Sequence, residues 1–151
     1  MVRSQTVMLG YHNRPAETAG ALRNGWLHTG DLGRLDEEGR LYVIDRKKDM
    51  IISGGENIYS IEVENALCEH PHVLEVAVIG VPDALLGEAL LAIVVPRNGA
   101  AISESDLIVH CRTLIGGYKI PRRFIISDRL PRTNVGKVMK NVLRDTYRDR
   151  T

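Results

Sequence analysis

The chain has 151 residues, enough for one ordinary core or two small lobes. Twenty basic and nineteen acidic side chains give a formal charge of +1, so no global field draws the protein to nucleic acid or to an anionic membrane. Hydrophobic residues make up 44%, the share of a globular protein, and the longest apolar runs, such as Val76–Val81, are far too short to span a bilayer.

The start, Met1-Val-Arg-Ser-Gln5, lacks the apolar centre of a signal peptide. Cys68 and Cys111 are too few and too far apart for a disulfide framework or a zinc site, even with His70 and His110 nearby. Two ordinary reduced cysteines in a cytoplasmic protein without a bound metal are expected.

The first thirty residues do not read as a domain start. Met8–Pro15 is rich in turn formers, and Ala16–Arg23 allows only a short helix before Asn24-Gly25 breaks it. The segment reads as the tail of something larger. Leu32–Leu35 and Leu41–Ile44 then flank Asp36-Glu-Glu-Gly39 as a β-hairpin. Five consecutive charges, Asp45–Asp49, follow as a candidate linker or hinge.

Ser60 is placed to cap a helix with Glu62 and Glu64 near its positive end and Val63, Ala66 and Leu67 on one face; Pro71 ends it. Val73–Val81 alternates as a strand with Val76, Val78 and Gly80 on one face, and Ala89–Val95 is a nearly continuous apolar strand; Pro82-Asp83 and Gly87 supply the turn. Ser103 and Asp106 have the spacing of a capping box, and Leu107, Ile108, Cys111, Leu114 and Ile115 follow at helical spacing until Gly116-Gly117. Phe124–Ile126 reads as a short strand. A last helix from Val138 turns Met139, Val142 and Leu143 inward and Lys140, Arg144, Arg148 and Arg150 outward. The order β-β-α-β-β-α-β-α predicts an α+β fold, a β-hairpin and a short mixed sheet packed by about three helices.

Three passages are more specific than a core requires. In Gly25-Trp-Leu-His-Thr-Gly-Asp31 the carboxylate of Asp31 could accept two hydrogen bonds from a vicinal diol, or could simply cap a turn. In Ile51-Ile-Ser-Gly-Gly-Glu-Asn-Ile58 the adjacent glycines could admit a thin ligand or form a flexible connector; without a Gly-Lys-Ser/Thr ending it is no triphosphate cradle. In Pro131-Arg-Thr-Asn-Val-Gly-Lys137 a polar turn presents a lysine suited to a phosphate or carboxylate oxygen, or to bulk water. A basic face on the last helix could touch RNA or acidic lipid, but Asp145 and Asp149 interrupt it and no aromatic platform accompanies it.

In order and spacing the three passages, with Asp45-Arg-Lys-Lys-Asp49 and Tyr118-Lys-Ile-Pro121, resemble motifs of the adenylate-forming acyl-CoA synthetases, the AMP-dependent synthetase and ligase superfamily. The resemblance runs from Val7 onward and looks closest to the fatty and aryl acyl-CoA ligases. It implies that residues 1–45 are the tail of an N-terminal adenylation domain, from its β subdomain, and residues 46–151 a C-terminal lid. It implies ATP and coenzyme A as substrates, with Mg2+ accompanying ATP on the N-terminal domain, whose phosphate-loop and acyl-pocket motifs are absent here. The identity of the acid is therefore not encoded in these residues, and the chain alone is expected to be inactive.

Residue by residue, the resemblance assigns Asp31 and Arg46 to the nucleotide, Lys137 to catalysis of adenylation, and Lys48 to the hinge. Ser53, Gly54, Gly55 and Glu56 fall on the loop beside the coenzyme A tunnel. Ser60 stands where many relatives have proline. The alternatives are a free-standing regulatory or interaction lid, or an adenylation domain that loads a carrier protein.

Overall fold

The computed structural model describes residues 1–97 and 100–148. The chain forms two compact units, Met1–Lys48 and Asp49–Thr151.

In the first unit, helix α1 (Pro15–Ala21) opens with a proline, whose fixed φ suits a first helical turn. Strands β1 (Leu22–Arg23) and β2 (Trp26–Leu27) pair antiparallel across Asn24-Gly25. The helix ends at Ala21, where Leu22 is already extended, and the dipeptide instead makes a small hairpin that the sequence reading did not include. Strands β3 (Asp31–Leu35) and β4 (Leu41–Arg46) form the expected second hairpin. No described residue of this unit is buried. Leu35, Leu41 and Val43 are 67%, 63% and 66% exposed.

The second unit holds the core. Strands β5 (Ile51–Ser53) and β6 (Glu56–Ile58) form a hairpin followed by α2 (Ser60–Cys68). Then come the long antiparallel pair β7 (Val73–Asp83) and β8 (Gly87–Pro96), α3 (Glu104–Leu114), β9 (Arg123–Ile126) and α4 (Lys140–Tyr147). The sheet order is β6-β5-β8-β7, with β9 lying parallel to β8 from Leu91 to Val94. Val76, Val78, Leu90, Ala92 and Val94 meet Val63, Leu67, Leu107 and Cys111 on one face. Ala77, Ile79, Leu91, Ile93 and Val95 meet Leu130 and Leu143 on the other. Covering both faces explains why β7 and β8 are apolar almost throughout, since neither alternation has a solvent side. The result is the α+β fold with a mixed sheet that the element order predicts.

The capping box at α3 is formed: Ser103 Oγ accepts the Asp106 amide at 3.1 Å, and Asp106 Oδ2 accepts the Ser103 amide at 3.3 Å. Such a cap contributes about 1 kcal/mol. Cys111 is fully buried, and burial pushes its thiol up to about 11.

Four local expectations are corrected. Ser60 is not the cap: Tyr59 occupies that position without a side-chain bond, and Ser60 is the first helical residue, fully buried, accepting a hydrogen bond from Lys140 Nζ at 2.7 Å. Helix α4 begins at Lys140, two residues later than Val138, because Val138 pairs with Arg132 in an isolated antiparallel bridge. Lys140 and Arg144 do not face solvent; they pair with Glu64 at 2.6 Å and Asp49 at 2.7 Å. Leu114, at the end of α3, is 43% exposed instead of buried. Arg148 is exposed, while Asp149 and Arg150 lie outside the described residues.

Candidate functional site

Within the first unit, Asp31 opens β3 and Arg46 closes β4, and the hairpin register sets them directly opposite. Arg46 Nε meets Asp31 Oδ1 at 2.9 Å, with side chains 54% and 32% exposed. Thr29 Oγ1 accepts the Asp31 amide at 3.2 Å, and Gly30 O accepts the Lys47 amide at 2.8 Å, so the backbone on both sides of the pair is tied. Asp31 borders a cleft of about 360 Å³ with Arg23, His28, Thr29 and Lys47. Partial desolvation and the Arg23 guanidinium hold the His28 imidazole below its ordinary range. A carboxylate among cations beside an open cleft suits a polyhydroxy, anionic ligand.

In the second unit, Gly54 and Gly55 form the two-residue turn between β5 and β6, with φ of +59° and +85°. Both values lie in the left-handed region that strongly favours glycine, and paired positive φ is the turn chemistry of a tight hairpin. Their first requirement is therefore conformational. The Gly54 amide is held by Leu86 O at 2.9 Å. Ser53, Gly54 and Glu56 line one side of a groove of about 260 Å³, with Gly117, Tyr118 and Arg122 on the other.

Lys137 ends a closed turn. The Thr133 amide donates to Lys137 O at 2.8 Å, the Gly136 amide to Thr133 O at 2.9 Å, and the Lys137 amide to Thr133 Oγ1 at 3.1 Å. Gly136, at φ +83°, supplies the left-handed residue that closes it. Leu130, 4% exposed, anchors the start of the segment in the core. The three lysines of this unit are Lys119, Lys137 and Lys140. Lys119 pairs with Glu62 at 2.5 Å and Lys140 with Glu64 at 2.6 Å. Among the described residues Lys137 has no partner for its ammonium, which is exposed.

Lys48 is the last residue of the first unit and is exposed in a turn. Its neighbour Asp49, 13% exposed, is pinned to Arg144 of α4. Asp31 and Arg46 thus share one unit and Lys137 stands in the other. Among the described residues no group of His, Cys, Asp or Glu could hold a metal ion.

Sequence reasoning missed Arg132 and Glu75. Arg132 Nη1 donates to Gly136 O at 2.6 Å, and its Nη2 pairs with Glu75 of β7. The signal was present in the motif itself, where an arginine sits one position after proline inside a turn. The partner is 57 positions away in sequence and carries no motif of its own.

The fold is thus of the α+β class, and the candidate residues sit on a hairpin and on a turn whose lysine has no partner among the described residues. The chain belongs to the AMP-binding enzyme C-terminal domain family, whose family model matches residues 62–137. Feruloyl-CoA synthase from Amycolatopsis sp is 49% identical over 147 residues, covering 97% of this chain and 30% of that protein. A long-chain-fatty-acid–CoA ligase from Escherichia coli O157:H7 is 46% identical, covering 97% and 26% respectively. The solved o-succinylbenzoate CoA synthetase from Bacillus subtilis, in complex with its acyl-adenylate intermediate, superposes with a TM-score of 0.88 at 45% identity, covering 95% of this chain and 29% of that one. The chain spans less than a third of the length of these relatives.

Proposed function

We propose that the chain is the C-terminal part of an ATP-dependent, AMP-forming acyl-CoA ligase, with Met1–Asp45 continuing an adenylation domain and Arg46–Thr151 acting as its lid. In the first half-reaction a carboxylate oxygen attacks the α-phosphorus of ATP, and pyrophosphate leaves. In the second, the thiol of coenzyme A attacks the acyl carbonyl, its proton is lost, and AMP leaves. The carrying observation is the ammonium of Lys137, without a partner among the described residues, on a closed turn in a chain so similar to CoA ligases.

Negative charge migrates from the carboxylate to pyrophosphate during adenylation. A fixed cation lowers that barrier by electrostatics alone, without exchanging a proton, so no base need stand beside Lys137. Asp31 would accept the ribose hydroxyls, with Arg46 orienting that carboxylate through the 2.9 Å ion pair. Mg2+ would accompany ATP on the adenylation domain.

Lys48 would be the pivot between half-reactions. Supporting it, the pinning of Asp49 to Arg144 couples the first residue after the pivot to α4, the helix that begins three positions beyond Lys137. Rotation at Lys48 would then carry Lys137 as a rigid body. The groove beside Ser53, Gly54, Gly55 and Glu56 would border the pantetheine arm of coenzyme A once the lid has turned.

In the full-length protein that carries this chain, Lys137→Ala should lower adenylate formation by roughly 10²- to 10³-fold, measured as ATP–pyrophosphate exchange. Thioester formation from a supplied acyl-adenylate should persist; equal loss of both steps would overturn the assignment. Lys48→Pro should give the opposite pattern, with adenylation spared and thioester formation lost. Unchanged turnover would remove the hinge role.

A further inference from the structure

A lysine delivers its charge only as well as its backbone is held, because its stem is long and flexible. Two different anchors flank Lys137. Downstream, Lys140 Nζ is bonded to Ser60 Oγ at 2.7 Å and Glu64 Oε1 at 2.6 Å, and Glu64 also accepts the Val78 amide at 2.8 Å. With side chains 16% and 12% exposed, the Lys140–Glu64 pair belongs to the packing of α4 on α2 and β7. Its loss would remove the cation from a largely buried carboxylate and weaken the whole unit.

Upstream, the anchor is Arg132. One guanidinium nitrogen donates to the carbonyl of Gly136, immediately before Lys137, and another pairs with Glu75 on β7. The bonds from Thr133 to Gly136 and Lys137 shape the turn from within, whereas the Arg132–Glu75 pair ties it to the sheet. The rigid planar fork of a guanidinium fixes the angle between two such acceptors, which the rotatable donors of an ammonium do not. Arg132 is 44% exposed and Glu75 25%, so the core depends little on them.

We propose that Arg132, anchored by Glu75, is the positioning residue of Lys137: it fixes the carbonyl before the lysine and so holds the ammonium where charge develops during adenylation. This inference rests on the assignment of Lys137 to that step.

The test uses the full-length protein. Arg132→Gln should accelerate hydrogen exchange in the peptide spanning Thr133–Lys137 roughly tenfold, because a hydrogen bond from a charged donor is lost, with the melting temperature unchanged. It should lower kcat for adenylate formation roughly tenfold with little change in KM for ATP, and leave thioester formation from a supplied acyl-adenylate intact. Glu75→Gln should give a smaller effect of the same kind, and Arg132→Lys should recover part of both readouts. Lys140→Met, in contrast, should lower the melting temperature and both half-reactions together.

Unchanged exchange in Arg132→Gln would overturn the proposal, as would unchanged adenylation in that variant where Lys137→Ala abolishes it. Adenylation that survives Lys137→Ala would instead remove the role of the lysine, and this inference with it. That failure appears in a different variant, so the two are distinguished.

Discussion

The two units solve opposite problems with the same chain. Asp49–Thr151 buries a sheet on both faces and pairs several of its charges internally, down to the bonding of Lys140 with Ser60 and Glu64. In Met1–Lys48 no described residue is buried, and Leu35, Leu41 and Val43 stand exposed on a hairpin held by backbone bonds, by the Asp31–Arg46 and Asp36–Arg40 ion pairs and by the Arg34–Tyr42 cation–ring contact. Yet the Asp31–Arg46 pair is on the weaker unit and Lys137 on the stronger. The difference teaches that the second unit carries a core of its own, whereas the first buries no described side chain and is held by local contacts.

The sharpest way to break this comparison is to cut between Lys48 and Asp49. The fragment Asp49–Thr151 should unfold cooperatively in urea, while Met1–Lys48 alone should exchange its amides at rates close to an unfolded peptide; native-like protection in the latter would erase the contrast. Next in size are paired core and surface truncations. Leu67→Ala, at a fully buried position, should cost about 3 kcal/mol of unfolding free energy, and Leu41→Ala, 63% exposed, less than about 0.5 kcal/mol. Similar costs at both sites would mean that the hairpin is supported as well as the sheet.

The smallest effect is a pH dependence of the second unit. The His70 ring lies 5.1 Å from that of His110 and 5.6 Å from that of His72. Burial first, then these two neighbours, hold its pKa below the ordinary 6.5, with Asp106 opposing. The unfolded chain therefore binds the proton more readily than the folded one. This contribution to stability is complete above about pH 6.5 and is lost as the pH falls through the lower folded value. Urea midpoints measured across that range should decline on the acid side, and His70→Gln should flatten the decline.

Much of the fold was legible because its signals are local. The Ser103–Asp106 box, the spacing of Leu107 and Cys111, and the apolar runs of β7 and β8 each follow from neighbours within a turn or from sheet burial. Gly54-Gly55 reads in sequence as a ligand approach or a flexible connector and is instead the turn of an ordered hairpin, because paired positive φ is visible only in three dimensions. Ser60 was misplaced by one position, since a serine fits both a cap and a first helical turn and the choice depends on what covers it. Arg144 was read as solvated because Asp49 is 95 positions away. At the site, the Thr-Gly-Asp and Asp-Arg motifs marked Asp31 and Arg46, whereas their meeting required a register that no motif states.

Periodicity, caps and turns settled from sequence where the main helices and the long strands fall, because those preferences act between residues a few positions apart. Which charges are neutralised and which remain free was decided only by tertiary structure. Lys137 and Lys140 are the same chemical group three residues apart, and both could be read as solvated. Folding brings Ser60 and Glu64 of α2 to Lys140 and, among the described residues, brings no carboxylate to Lys137. Pairing across such distances depends on how helices settle on a sheet, so one lysine becomes an anchor and the other a free cation.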